Sequence, residues 1–498
     1  MRVLLLFRGA PGCGKSTFIK EHGLKPYTLC ADDIRLLCAS PTLQTDGTRK
    51  ISQENDKVVW NTLFRLLETR MQNGEFTVID ATNSKTSEMT RYKELAESYR
   101  YRMYCIDMTD IPMEEVKHRN QNREELKRVP EEVIDKMYSR FASQQIPSGI
   151  KVLKPEELDT IWYTPTDFSD YKKIHVFGDV HGCYTALKEY INSVGGFHED
   201  ELYIFTGDYV DRGIENAETV NFFCDQYGYK NIVCLEGNHE RWLWMYANDI
   251  TAQSKEFEFV TKPQLNKANV SKKKIREFYR RLGQCCYFTY HDHTFLVTHG
   301  GISNVPENLL MIPTEQMIKG VGQYSESDTV DQSFAKNTPP HTFQIHGHRN
   351  VAKSPIQTTE RTYNLEGEVE FGGCLRVLQI TENGITPVEI RNTVFKSREE
   401  RTDENHVTEN VDMSVYNLVA EMRNNRNIYE KQFGRVSSFN FTREAFENKA
   451  WDSIVNKARG LYIDNQDYKV VARAYDKFFS IEEVCRNPSL MGVVYKNE

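Results

Sequence analysis

Apolar residues fall along this chain in short unbroken runs, each closed by glycine or by a charged or polar side chain. "RVLLLF" opens the series, "FTVI" follows, and "IHVF", "LYIF", "IVCL", "TFLVT" and "TFQIH" come later. Strands covered on both faces read this way, whereas a strand with one wet face alternates. Helical segments such as "STFIKEH" lie between the runs, so the pattern predicts an α/β chain with parallel strands.

Two stretches interrupt it. The loop-rich "PSGIKVLKPEELDTIWYTPTDFSD" precedes the later runs, and the polar "NTVFKSREERTDENHVTEN" has no apolar period and reads as a linker. Three segments follow: 1–150, 170–392 and 405–498, as expected for 498 residues.

Composition narrows the class. A net charge of −8 argues against bulk non-specific affinity for nucleic acid, so an anionic substrate must be met locally. No apolar run approaches the roughly 18 residues of a membrane span, and "MRVLLLF" is too short for a signal peptide. The 11 cysteines form no CxxC pair, which fits reduced thiols in a cytoplasmic protein.

The first run leads into "RGAPGCGKST", which matches G-x-x-x-x-G-K-[ST]. Gly9, Gly12 and Gly14 let backbone N–H groups wrap phosphates, Lys15 reaches the β- and γ-phosphates, and Ser16, followed by Thr17, offers a hydroxyl to Mg2+. ATP or GTP is therefore expected. "CADDIR" follows the first helix with Asp32, Asp33 and Arg35. A carboxylate there can take the proton of an acceptor hydroxyl, and the cation can hold an anionic acceptor. "EFTVIDATN" reads as a second parallel strand ending in Asp80 and Asn83. "EEVKHRNQNREELKRVP" is expected to place Arg119 and Arg123 on one helix face, as a lid closing on phosphates.

These residues resemble the kinase domain of polynucleotide kinase–phosphatases. The resemblance implies ATP as donor, Asp32 as general base for a 5′-hydroxyl, Arg35 on the neighbouring phosphate, and Arg123, with Arg119 beside it, on the transferring phosphoryl group.

In the second segment five runs end in potential ligands. "KKIHVFGDVHG" gives Asp179 and His181, "ELYIFTGDYVDRG" gives Asp208, Asp211 and Arg212, and "NIVCLEGNHE" gives Asn238 and His239. "TFLVTHGG" gives His299, and "TFQIHGHRN" gives His346 and His348. Two divalent cations close together clamp a phosphate and activate water. Asp208 is the candidate bridge, and the mixed nitrogen and oxygen set suits Mn2+, iron or zinc better than calcium. Arg212 can fork onto phosphoryl oxygens, and His239 can protonate a leaving alkoxide.

These motifs resemble the calcineurin-like metallophosphoesterases, an α/β sandwich. The resemblance implies Asp179, His181 and Asp208 around one metal, and Asp208, Asn238, His299 and His348 around the other. It favours His348 over His346, and it makes "TYNLEGEVEFGGCLRVLQI" a closing hairpin. The basic "VSKKKIREFYRRL" (270–282) is either a solvated helix or a polynucleotide contact.

The third segment resembles the start of an RNA ligase, a partial α+β nucleotidyltransferase. "ARGLYIDNQDYKVVARAYDKFFSIEE" carries Arg459 and Lys477, and "VVYKNE" places Lys496 where the nucleotidyl lysine belongs. The expectation is a fragment of a longer enzyme or a split gene, with no adenylation by this chain alone. The ligase portion would then lie in a missing segment or a separate chain.

The whole is expected to heal RNA or DNA ends. ATP and Mg2+ would serve 5′-phosphorylation, and two Mn2+ or similar ions would serve removal of a 3′-phosphate or 2′,3′-cyclic phosphate. There is no membrane role, and a homo-oligomer remains compatible. The rivals are a protein Ser/Thr phosphatase or a dinucleoside polyphosphate hydrolase fused to a small-molecule kinase. A further rival treats the last segment as a nucleic-acid tether.

Overall fold

The computed structural model describes residues 2–252, 254–349 and 354–396. The expectations for 405–498, including Arg459, Lys477 and Lys496, lie outside the described residues. No helix among the described residues is long and apolar enough to cross a membrane.

The N-terminal sheet has five parallel strands in the order Thr28–Cys30, Thr77–Asp80, Val3–Arg8, Arg102–Asp107 and Ile150–Leu153. Val3–Arg8 is central and buried throughout. Leu4 and Leu6 pack on one face with Leu63, Leu67 and Met89. Leu5 and Phe7 pack on the other with Ile19, Val116 and Ile134. Helices on both faces explain why that strand is apolar without alternation.

The second lobe is a sandwich. One sheet orders Ile232–Cys234, Glu201–Phe205, Lys173–Phe177, Cys374–Thr381 and Gly384–Arg391. The other orders Gln357–Thr359, Thr362–Asn364, Thr342–His346, His293–Thr298, Cys285–Tyr290 and Thr166–Asp167. Ile174, Val176 and Ile204 of the first meet Phe288, Phe295, Val297 and Ile345 of the second in a shared core. The other face of the first sheet is covered by Tyr184–Ser193 and Asn216–Gln226. All five runs that end in candidate ligands are strands of these sheets.

The expected hairpin within "TYNLEGEVEFGGCLRVLQI" is corrected. Thr362–Asn364 pairs with Thr342–His346, whereas Cys374–Thr381 pairs with Lys173–Phe177 in the other sheet. The intervening residues carry the chain between layers, bending at Gly372 with φ 83°. The hairpin that closes the lobe is Cys374–Thr381 with Gly384–Arg391.

The two lobes touch. The amides of Thr314 and Glu315 donate to the carbonyls of Gly74 and Asn73 at 3.1 and 3.2 Å, and Leu310 joins the N-terminal core. Gly74 has φ +68°, and a Cβ there would meet Thr314 Oγ1 at 1.7 Å, so only glycine fits this approach.

Candidate metal centre and nucleotide site

The Val3–Arg8 strand delivers the chain into the glycine loop, and Gly14, φ 101°, turns it into the helix Lys15–Glu21. Lys15 is folded over the loop, its Nζ donating to the carbonyls of Gly9 (2.7 Å) and Ala10 (3.1 Å). Ser16 Oγ donates to Asp80 Oδ2 at 3.0 Å, while Thr17 is exposed. A hydroxyl and a carboxylate at adjacent strand ends suit Mg2+. Asp80 was legible as a strand end but not as Ser16's partner.

Asp32 stands in the first turn of the helix Ala31–Cys38. Arg35 donates from one Nη to Asp32 (2.7 Å) and from Nε to Asp56 (2.8 Å). Asp56, far off in sequence, gave no signal. Arg35 therefore orients Asp32, whose side chain is half exposed. Arg123 is partly buried; burial lowers its pKa, and the fields of Asp32 and Asp80 oppose that.

The expected single face for Arg119 and Arg123 is corrected. The helix Met113–Gln121 ends before Arg123. Buried Asn120 exchanges hydrogen bonds with the backbone of Val129, at 2.8 and 3.2 Å, and folds the chain back. Arg123 then lies within the fields of Asp32 and Asp80, while Arg119 is exposed and paired with Glu115 at 2.7 Å.

In the sandwich the ends of the five ligand-bearing strands converge. Among the described residues, three groups could each hold a metal ion: Asp179, His181 and Glu366; His181, Asp208 and His239; and Asp208, His299 and His348. Asn238 Oδ1 lies 3.2 Å from His299 Nε2. His346 faces away, its Nε2 3.1 Å from Asp331. Glu366 was missed, since a Glu within "NLEGE" looks like any turn residue.

The residues fit a pair of cations. Asp208 Oδ2 is buried and has imidazole nitrogens at 3.1 Å (His299), 3.5 Å (His181) and 3.9 Å (His239). None of them makes a well-directed hydrogen bond to it, and His299 Nδ1, 3.7 Å from Asp179 Oδ1, also lacks a hydrogen bond. Burial and the neighbouring Glu366 hold the Asp179 carboxyl well above its usual range. Burial pushes His181 down to about 3 and His348 to about 2. Neutral imidazoles and crowded carboxylates are what a cation requires and relieves. His181, Asp208, Asp211, Arg212 and His348 all have positive φ, the backbone strain common at functional sites.

His239 Nδ1 is 2.6 Å from Asp211 Oδ2, and Thr261 donates to Asp211 as well. Burial would lower the pKa of His239, but Asp208 and Asp211 prevail and raise it to about 9. Arg212 donates to Glu370 at 3.0 Å and lies 3.1 Å from His181 Nε2. Buried Glu240 accepts from the amides of Asp208, Tyr209 and Gly237 and ties these loops together.

The basic stretch forms the helix Lys272–Arg281, with Ile275, Phe278 and Tyr279 buried. Lys272 and Lys274 pair with Asp249 and Asp225, so part of its charge is answered within the protein.

Comparison with known proteins matches this division. Residues 4–143 match the family described as AAA domain, and residues 172–372 match the calcineurin-like phosphoesterases. The asymmetrical bis(5′-nucleosyl)-tetraphosphatase PrpE of Halalkalibacterium halodurans is 25% identical over 235 residues, 42% of this chain and 89% of that protein. Serine/threonine-protein phosphatase PP1-1 of Saccharomyces cerevisiae is 44% identical over 69 residues, covering 14% of this chain and only 22% of that one. A solved serine/threonine phosphatase of Saccharomyces cerevisiae, similar to human PP5, aligns with a TM-score of 0.33 and 15% identity. That alignment covers 45% of this chain and 80% of the other. The chain thus joins a P-loop, kinase-like domain to a calcineurin-like metallophosphoesterase domain.

Proposed function

We propose that this chain processes polynucleotide ends, phosphorylating a 5′-hydroxyl with ATP and hydrolysing a 3′-phosphate or 2′,3′-cyclic phosphate. The observation that carries the reading is the acceptor side of the P-loop domain. Asp32, held by Arg35 at 2.7 Å, shares its surroundings with Arg123 and with the Ser16–Asp80 pair. A carboxylate so placed can take the proton of an acceptor hydroxyl. In the transfer, the 5′-oxygen attacks the γ-phosphorus and its proton passes to Asp32. The bond to the β-phosphate oxygen breaks, and Lys15 and Arg123 offset the charge.

At the second site Asp179, His181 and Asp208 would hold one divalent cation, and Asp208, Asn238, His299 and His348 the other. Such a pair supplies Lewis acidity toward phosphoryl oxygens and a more acidic water. Arg212 orients the phosphate, and His239 carries a proton on Nε2 for the leaving 3′-oxygen while Asp211 fixes the other ring nitrogen. RNA or DNA ends are the partners this reading requires.

A second reading draws on the relative named as a tetraphosphatase, 89% of whose length is matched. In that reading the second domain hydrolyses dinucleoside polyphosphates. One experiment separates the two. An oligonucleotide with 5′-hydroxyl and 3′-phosphate ends, ATP and Mn2+ should yield 5′-phosphate and 3′-hydroxyl ends. Rapid cleavage of a dinucleoside tetraphosphate with neither end altered would reject the first reading.

A further inference from the structure

Glu236 directly precedes the segment that presents Asn238 and His239, and the P-loop domain holds it. Its carboxylate is buried. It accepts from Arg2 at 3.1 Å and from Arg100, both in the N-terminal domain, and from Tyr279 (2.8 Å) and Gln284 (3.1 Å) in its own. The segment beyond it has little slack. The Gly237 amide donates to Glu240 at 2.7 Å, and the His239 amide donates to Asp208 at 3.0 Å. A second route runs through rings. The Arg100 guanidinium lies 4.2 Å from the centroid of Tyr279, which stacks at 5.0 Å on Trp244. Trp244 sits on the helix Glu240–Ala247, whose N-cap is His239.

Arg100 occupies an unusual position. It follows the C-cap Tyr99 of the helix Thr86–Ser98, with φ 60°. The Tyr101 amide bonds to Ala96 at 2.8 Å and the Arg100 amide to Glu97 at 3.4 Å, the closing pattern in which glycine is usual. An arginine held in the left-handed region at a glycine position suggests that its side chain is needed there.

We propose that Arg100, assisted by Arg2, is a positioning residue for ester hydrolysis: the P-loop domain sets His239 through Glu236, and the metallophosphoesterase site is complete only with the N-terminal domain docked. The proposal rests on reading His239 as the proton donor. It goes beyond that reading by making one domain part of the other's site.

The test uses the full chain with Mn2+ and two substrates, nitrophenyl phosphate and a simple alkyl phosphate. Arg100→Gly removes the guanidinium and relieves the left-handed strain while Arg2, Tyr279 and Gln284 still hold Glu236, and a thermal melt verifies that the fold is kept. The alkyl ester should lose roughly tenfold or more in kcat, the usual range for an orienting partner, and the aryl ester less than about threefold. KM should be unchanged for both. Arg100→Lys should recover most of the loss, and Arg2→Ala should give a milder version of the same split. If His239→Ala slows both esters alike, the proton-donor reading falls and takes the proposal with it. If His239→Ala discriminates between the esters and Arg100→Gly does not, the reading stands and the proposal alone is overturned.

Discussion

His239 Nδ1 and Asp211 Oδ2 lie 2.6 Å apart, with the carboxylate wholly buried behind the ring. The pair fixes which nitrogen faces the cluster of candidate metal ligands and favours the charged imidazole. Asp211→Asn keeps an acceptor for Nδ1–H but removes the charge. Hydrolysis of an alkyl phosphate should fall about tenfold to a hundredfold, with less effect on an activated aryl phosphate. The sign of the pH effect follows from the pKa of about 9 that the two carboxylates sustain against burial. The acid form serves below that value, so losing Asp211 should move the alkaline limb of the kcat profile to lower pH. An unmoved limb would mean that His239 is not the titrating acid.

Lys15→Ala and Asp32→Ala should abolish 5′-phosphorylation and leave ester hydrolysis within about twofold, since neither changes a packed core contact. Lys15 Nζ bonds only to its own loop and Cys13, and Asp32 bonds to Arg35. End-labelling beside phosphate release checks both activities on one preparation. Loss of both in a folded variant would contradict separate sites.

The strands were legible because burial on both faces writes an unbroken apolar run. The candidate ligand residues that cluster in the fold were legible because each follows such a run. What escaped the sequence depends on contacts between distant segments. Arg119 and Arg123 have helical spacing, but Asn120 uses its amide to end the helix at Gln121, which no local pattern shows. Glu366 and Asp56 meet their partners only in the fold. Glu236 reads as one more acidic residue beside a glycine until Arg2 and Arg100 arrive from the other domain. The closing hairpin was misplaced because two apolar runs joined by glycines look alike whether they pair together or enter different sheets.

His175 makes stability depend on pH. It is fully buried, with Nε2 2.9 Å from Glu201 and Nδ1 2.7 Å from the Tyr190 hydroxyl. Burial lowers its pKa despite Glu201. A histidine with a depressed folded pKa gives stability that is present above its unfolded value, near 6.5, and is lost as pH falls toward the folded one. Denaturation midpoints of the full chain should therefore drop between about pH 7 and pH 5, and His175→Asn should flatten that slope. A slope unchanged in the variant would place the titration elsewhere.

The two histidines of "HGH" should fail in different ways. His348 stands with Asp208 and His299, its ring centroid 4.9 Å from that of His299. His346 points into the second lobe, where its Nε2 meets Asp331 at 3.1 Å and its Nδ1 lies 3.0 Å from the Gly347 carbonyl. Asp331 also receives Thr358 (2.7 Å) and Gln344 (3.2 Å), so its carboxylate keeps partners if the imidazole goes, but it loses the one that can carry charge. His346→Ala should thus cost about 3 kcal/mol, as when one member of a buried pair is removed, and leave a cavity beside Gly301. Its Mn2+ content should stay that of the parent. His348→Ala takes away the imidazole proposed as a ligand while its amide keeps the bond to Asp179 at 3.0 Å, so stability should change little. Its metal content should fall by one equivalent and its hydrolysis should collapse. Metal analysis after dialysis, paired with a thermal melt, reads both variants. A His346→Ala protein that melts like the parent but has lost metal would reverse the two assignments.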